Sequence, residues 1–284
     1  MTQNGVSSSI KNQMNIEKQA TERWMSSKLS EYLRNRLKEK KILLMTHTVV
    51  GYPSLEDNWQ MLEEMQAANV DMVELQMPFS EPIADGPLFV KANQEALKNG
   101  IDWNAYFDFM KRAHEKFDFP LLLIGYYNSA FAMGHRSFCS RLAEHGASGY
   151  LLPDLPLEEM EDLHQLSKEH RLNPIMLCTP THKDTRLQSI CANGSGFLYC
   201  VARKGVTGAV TKIDPMVFEF LTRCRRYSDL PLALGFGLST GEDLNQLQGY
   251  ADIAVIGSAL LKTWEEKGSE AYRSHLKELA EATA

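Results

Sequence analysis

Residues 73–87 read VELQMPFSEPIADGP. β-tolerant residues lead into Glu74, at the end of a predicted strand. A proline-interrupted loop follows, and Asp85 stands near its end, just before Gly86 and Pro87. Two carboxylates are thus placed where a strand gives way to a loop. In a barrel of alternating strands and helices, that face is where chemistry is done. Pro78, Pro82 and Pro87 stiffen the loop and hold the second carboxylate in place.

Outward from this stretch the same alternation repeats. Apolar runs at 42–50, 71–77, 120–127, 148–153, 173–178, 196–202, 230–236 and 251–257 predict eight strands. Amphipathic stretches at 54–68, 88–98, 103–116, 136–145, 157–170, 184–192, 214–227 and 241–248, and closing helices after them, separate and follow the strands. Such alternation implies a parallel sheet. Eight units favour a single closed (β/α)8 TIM barrel over an open doubly wound sheet. No G-x-G-x-x-G follows the first strand, which counts against a dinucleotide-binding fold. A helix over 27–40 precedes the first strand and suits a plug for the barrel bottom. Residues 1–20 are polar and read as a flexible extension, and 21–284 as one barrel domain.

The chain of 284 residues is 44% hydrophobic and 23% charged, enough to build a full core. Its net charge of −6 and scattered basic residues exclude a nucleic-acid surface. Cys139, Cys178, Cys191, Cys200 and Cys224 are odd in number and form no CxxC pair, so neither a disulfide framework nor a metal site is expected. Apolar neighbours point to buried thiols in a reducing cytoplasm. The N-terminus has no apolar core of a signal peptide, and no apolar run approaches the roughly 18 residues of a membrane span. The histidines form no H-x-H or H-E-x-x-H pattern.

Period-two alternation turns Val73 and Leu75 toward the outer helices and Met72, Glu74 and Gln76 into the barrel. A partly desolvated carboxylate there suits general acid–base work. It serves equally well as a structural Glu in a buried network. Asp85, from its position alone, reads first as a turn or helix-cap aspartate. Three glycine segments follow the last three strands: RKGVTG at 203–208, GFGLS at 235–239 and GSAL at 257–260. Glycines let backbone N–H groups approach an anion, and a helix starting at Ser258 aims its positive end at it. Together they point to a phosphorylated substrate. Tyr126 at the end of strand three and Tyr199 inside strand six are core fillers or borders of a flat aromatic ligand.

These motifs resemble the tryptophan synthase α-subunit family. The resemblance rests on VELQMPFSEPIADGP. It is supported by GYP at 51–53, YYN at 126–128, PDLP at 153–156, RKGVTG, GFGLS and GSA at 257–259, and spans roughly residues 27 to 283. It implies retro-aldol cleavage of indole-3-glycerol phosphate to indole and glyceraldehyde 3-phosphate, in tryptophan biosynthesis. Glu74 falls on the family's catalytic glutamate and Asp85 on its second carboxylate, which accepts the indole N–H. Tyr126 and Tyr199 match tyrosines lining the site. Thr207 and Gly208 match a mobile closing loop, with Thr207 meeting Asp85 on closure. Gly235, Phe236, Gly237, Gly257 and Ser258 match phosphate and indole contacts. The resemblance implies an α2β2 assembly with a pyridoxal-phosphate β subunit and no cofactor in this chain.

The chain departs from the family pattern at Gln76 (usually Gly), Glu81 (usually Asp), His47 (often an apolar aromatic) and Lys204 (commonly Ser). Pro78, Glu81 and Pro82 are expected on the exposed side of the loop, at the β-subunit face. Alternative functions are an α-like subunit that mainly activates a β subunit, a stand-alone indole-releasing lyase, and another phosphate-binding barrel such as a sugar-phosphate isomerase.

Overall fold

The computed structural model describes residues 27–201, 213–235 and 237–284. The chain begins with α1 (Lys28–Arg36), β1 (Leu43–Val49), α2 (Leu55–Ala67) and β2 (Met72–Gln76). Two helices, α3 (Pro87–Lys98) and α4 (Trp103–Lys116), lead to β3 (Leu121–Ile124). After α5 (Tyr127–Met133), α6 (His135–Glu144) and β4 (Ala147–Leu151) come a 3-10 turn (Leu157–Glu159) and α7 (Glu161–His170). Next are β5 (Asn173–Pro174), β6 (Met176–Cys178), α8 (Asp184–Asn193), β7 (Leu198–Val201) and α9 (Pro215–Arg225). The chain ends with β8 (Leu232–Gly235), α10 (Gly241–Leu247), β9 (Ile253–Ile256) and α11 (Ser258–Glu281).

The sheet order is β5-β4-β3-β2-β1-β9-β8-β7-β6, and every pairing is parallel. Its two ends, β5 and β6, are halves of the single stretch 173–178. The first half pairs with β4 and the second with β7, while the Ile175 N–H donates to Tyr150 at 2.9 Å. The change of partner at Ile175 closes the ring, so this is an eight-stranded TIM barrel. All eight predicted strands are present.

Side chains alternate between two apolar clusters. Leu43, Met45, Met72, Leu122, Leu151, Ile175, Phe197, Ala233 and Ile253 fill the barrel. Leu44, Val73, Leu75, Leu121, Leu123 and Leu198 face the helices. Leu29 and Leu33 of α1 join the inner cluster. Ser27 caps α1 by accepting the Ser30 N–H at 3.0 Å. The helix ends at Arg36 rather than 40, and the chain then turns toward Asp71. There the Arg36 Nε and Lys40 Nζ groups, both at 2.8 Å, and the Leu44 N–H at 2.9 Å converge on one fully buried carboxylate. These bonds tie α1 to the strand layer.

Two further predicted elements differ. The strand expected over 120–127 stops at Ile124, and Tyr127 opens α5, which the hydrophobic pattern did not suggest. The Tyr127 N–H donates to Asp154 Oδ1 at 2.8 Å, so a neighbouring loop turns the chain out of the sheet. The helix expected over 157–170 is broken at Met160 into the 3-10 turn and α7. The polar extension predicted at 1–20 lies outside the described residues.

Candidate active site

Glu74 sits on β2 with Val73 and Leu75 packed outward, and its own side chain, 1% exposed, turned inward. Its Oε2 lies 3.1 Å from His47 Nδ1, the residue opposite it in β1. His47 Nε2 lies 2.8 Å from Gln76 Oε1. Gln76 Nε2 donates to Asp85 Oδ2 at 2.8 Å. One chain of side-chain contacts therefore joins the two carboxylates.

Asp85 stands just before Gly86, the N-cap of α3, with Pro87 in the first turn. The Gly86 position carries no side-chain cap, so Asp85 is not used as a helix cap. Asp85 also accepts from Asn93 Nδ2 at 3.2 Å. Asn93 is fully buried and uses both ends of its amide. Oδ1 accepts the Phe79 N–H at 2.9 Å, and Nδ2 also donates to the Phe89 carbonyl at 2.8 Å. Asn93 thus fixes the loop from Phe79 to Asp85 onto α3. Sequence reasoning did not single it out. The available signal was an amide inside a helix, where Asn has low propensity and needs a reason to stay.

Tyr126 lies just past β3. Its ring stacks on Phe79 with centroids 5.1 Å apart, and its hydroxyl accepts the Ala84 N–H at 3.0 Å. Burial and the nearby charge of Asp85 raise its pKa well above the ordinary tyrosine value. Tyr199 projects inward from β7, and burial with the charges of Glu74 and Asp85 raises it likewise. His47 is subject to opposing effects. Burial, the largest single effect, lowers its pKa, but the hydrogen bond and charge of Glu74, the charge of Asp85 and the Gln76 hydrogen bond together outweigh it, so the net shift is upward.

Gly235, Gly237, Gly257 and Ser258 gather on the same rim. A Cβ at Gly235 would lie 2.6 Å from Tyr199 Cε1 and 2.7 Å from its hydroxyl, so glycine is what lets that ring lie across β8. Gly237 has φ 80°, a left-handed conformation that favours glycine. Ser258 opens α11, whose first-turn N–H groups carry the positive end of the helix dipole. A cavity of about 510 Å³ brings these groups together. Its walls include His47, Glu74, Asp85, Phe89, Tyr199, Gly237, Gly257 and Ser258. It has two carboxylates and a histidine at one part of its wall, and two glycines and the first residue of a helix at another. Gly235 and Tyr126 lie behind this wall, touching Tyr199 and the Asp85 loop. Thr207, Gly208, Phe236 and Lys204 lie outside the described residues.

Among the described residues, no group of three or more His, Cys, Asp or Glu side chains is placed to hold a metal ion. All five cysteines are buried and free. Glu81 is exposed as expected, and Ile83 beside it is 82% exposed. Pro78 and Pro82 are buried, which corrects the expectation that they face outward. A proline ring has no N–H to leave unsatisfied, so it packs inward while its polar neighbours face water.

A family model described as tryptophan synthase alpha chain matches residues 33–284. The chain is 43% identical over 251 residues to the tryptophan synthase alpha chain of Syntrophotalea carbinolica, covering 88% of this chain and 99% of that one. It is 42% identical to that of Desulforapulum autotrophicum, covering 89% and 100%. Among solved structures it is similar to a chain of the Pyrococcus furiosus tryptophan synthase α2β2 complex, with TM-score 0.79, 31% identity and 84% and 98% coverage. An Aquifex aeolicus structure superposes with TM-score 0.82 at 34% identity, covering 90% and 99%.

Proposed function

The chain belongs to the tryptophan synthase alpha chain family, and from that premise we propose that it cleaves indole-3-glycerol phosphate to indole and glyceraldehyde 3-phosphate. The observation that carries the reading is the shared cavity. Glu74, Asp85 and the opening residue of α11 all line it. That arrangement matches a substrate with a reactive aromatic end and a phosphate end.

In this reading the phosphate rests against Gly237, Gly257 and Ser258, with Gly235 beside it. The indole lies between Tyr126, Tyr199 and the carboxylates. Asp85 accepts the indole N–H and balances the positive charge that develops in the ring. Glu74 delivers a proton to indole C3 and takes one from the glycerol hydroxyl next to it. The O–H electron pair becomes the carbonyl π bond. The electron pair of the broken C–C bond re-forms the C2–C3 double bond and neutralises the cationic ring nitrogen, so aromaticity returns and indole leaves with the C3 proton delivered by Glu74. The step as written uses only groups of this chain, and pyridoxal phosphate belongs to the partner.

That partner is a β subunit in an α2β2 assembly, as in the Pyrococcus furiosus complex. Glu81, Ile83 and Phe131 are exposed around the barrel mouth and suit the docking face. Five free buried thiols suit a cytoplasmic setting. The test is indole formation from indole-3-glycerol phosphate by the chain alone and with its β subunit. Slow release alone and faster release with the partner are expected. Release unaffected by the partner supports a stand-alone lyase, and no release in either setting rejects the reading.

A further inference from the structure

His47 and Gln76 stand between the two carboxylates, and the backbone determines how their hydrogens are arranged. The Phe79 N–H can only donate and the Phe89 carbonyl can only accept, so together they fix the amide of Asn93. Asn93 Oδ1 therefore faces Gln76 Nε2, at 3.4 Å, and Asp85 Oδ2 faces it at 2.8 Å. Two acceptors fix the NH₂ of Gln76 on that side. Its Oε1 then faces His47 Nε2 at 2.8 Å, and that nitrogen must carry a hydrogen. Only Nδ1 remains for Glu74, 3.1 Å away. A contact there needs one proton between the pair. Either a carboxylic acid donates to a neutral imidazole, or an imidazolium donates to a carboxylate.

We infer that His47 is a positioning residue for Glu74, and that His47 and Gln76 join the two carboxylates into one hydrogen-bonded chain with a shared proton at the Glu74 end. The catalytic part of this inference rests on the function proposed above. Both forms of the pair have the same net charge. Loading Glu74 with its proton therefore moves that proton across one hydrogen bond and adds no charge to a buried site. After Glu74 gives its proton to the ring carbon, two lone pairs face each other across the contact. Uptake of the hydroxyl proton from the substrate relieves that opposition. The proton count returns to its starting value at the end of each turnover.

The environment of His47 is otherwise apolar or neutral. Glu74 and Asp85 are the charged groups acting on it, with Gln76 as its second hydrogen-bond partner. Tyr199, raised by burial and by the same two carboxylates, is the nearby neutral titratable group. Phe89 of α3 lies 4.6 Å from its ring, and Gly257 at the end of β9 leaves only 3.2 Å between its Cβ position and that of His47. The ring is held at its two nitrogens by Glu74 and Gln76, with Phe89 packed beside it.

The test is a double-mutant cycle with a spectroscopic arm. His47→Phe leaves the Gln76 carbonyl without its donor, and Gln76→Gly leaves the His47 Nε2 hydrogen without its acceptor. Each single change is expected to lower kcat about tenfold or more, with KM within about threefold, and to move the pH profile of kcat. The double variant removes both stranded groups and is expected to be no slower than the slower single. Losses that multiply overturn the coupling. In ¹⁵N-histidine spectra of the wild-type chain, His47 Nε2 is expected to be protonated and Nδ1 to lie between the bare and protonated extremes. Glu74→Gln should move Nδ1 toward the bare value. A neutral ring with hydrogen on Nδ1 and a bare Nε2 overturns the inference whatever the kinetics. A wild-type chain that releases no indole in any setting rejects the function, and the spectrum then judges the shared proton alone.

Discussion

Gly235→Ala tests how the cavity wall is built. The added methyl would lie 2.6, 2.7 and 2.9 Å from Cε1, Oη and Cζ of Tyr199. Carbon contacts are comfortable at roughly 3.5–4.0 Å, so ring and strand must separate by about 1 Å. Backbone shifts of this kind cost about 1–3 kcal/mol in a closed core. Here one side of the ring borders a cavity of about 510 Å³, so the ring can tilt into it. The stability loss should therefore fall near 1 kcal/mol, a drop of about 2 °C in Tm for a chain of this size. The cavity bears the rest of the effect. A displacement of about 1 Å at a positioning wall can cost up to roughly 100-fold in rate. Thermal unfolding and steady-state indole formation measure the two effects separately. Gly235→Ala in a Tyr199→Leu background removes the clash and should restore Tm to that of Tyr199→Leu alone. A large loss of Tm with unchanged kinetics would refute the reasoning, because it would place the strain in the sheet and not in the site.

Other changes address separate parts of the molecule. Asp71→Ala strips the partner from Arg36 and Lys40, whose side chains are 19% and 10% exposed. Because both can reach water, the cost should fall near the low end of the range for a broken buried pair, about 3 kcal/mol, with kcat unchanged because the change is at the opposite end of the barrel. An urea midpoint equal to wild type would remove this latch from the account. Acidification should weaken the fold through His164, which burial pushes down from an ordinary 6.5 to about 4. The unfolded chain binds that proton first, so stability is lost as pH falls from 6.5 toward about 4, by at most about 3 kcal/mol at 1.36 kcal/mol per unit. His164→Gln should flatten that part of the stability–pH curve, and an unchanged slope would assign it elsewhere. Asp85→Asn keeps a group for the indole N–H but loses the charge, so kcat should fall by about 100-fold or more with KM little changed. Loss of substrate binding at unchanged kcat would contradict its role.

Much of this arrangement follows from local rules that are visible in the chain. The inward turn of Glu74 follows from a two-residue repeat, and all eight strands follow from apolar runs separated by helical patterns. What the repeat does not encode is the partner that bends a segment away. Tyr127 starts a helix because Asp154, 27 residues later, accepts its N–H. Ile175 switches partner between strands because the ring has to close, which no local window contains. The environments of single side chains were also hidden. The two-residue repeat turns Gln76 inward and the family pattern marks His47 and Gln76 as departures, but their contact across two strands appears only once β1 and β2 are in register. The place of Pro78 and Pro82 in a loop points to the surface, whereas their burial depends on how the loop folds back.

The central claim is that Glu74 moves protons in the cleavage of indole-3-glycerol phosphate. The most direct test is indole release by wild type and by Glu74→Gln, each with saturating β subunit, after matching thermal unfolding shows both are folded. The exchange keeps the volume of the side chain and removes its acid–base capacity. The account predicts a fall in kcat of about 10²–10⁴-fold or more. A folded Glu74→Gln protein that turns over at near wild-type rate would contradict it.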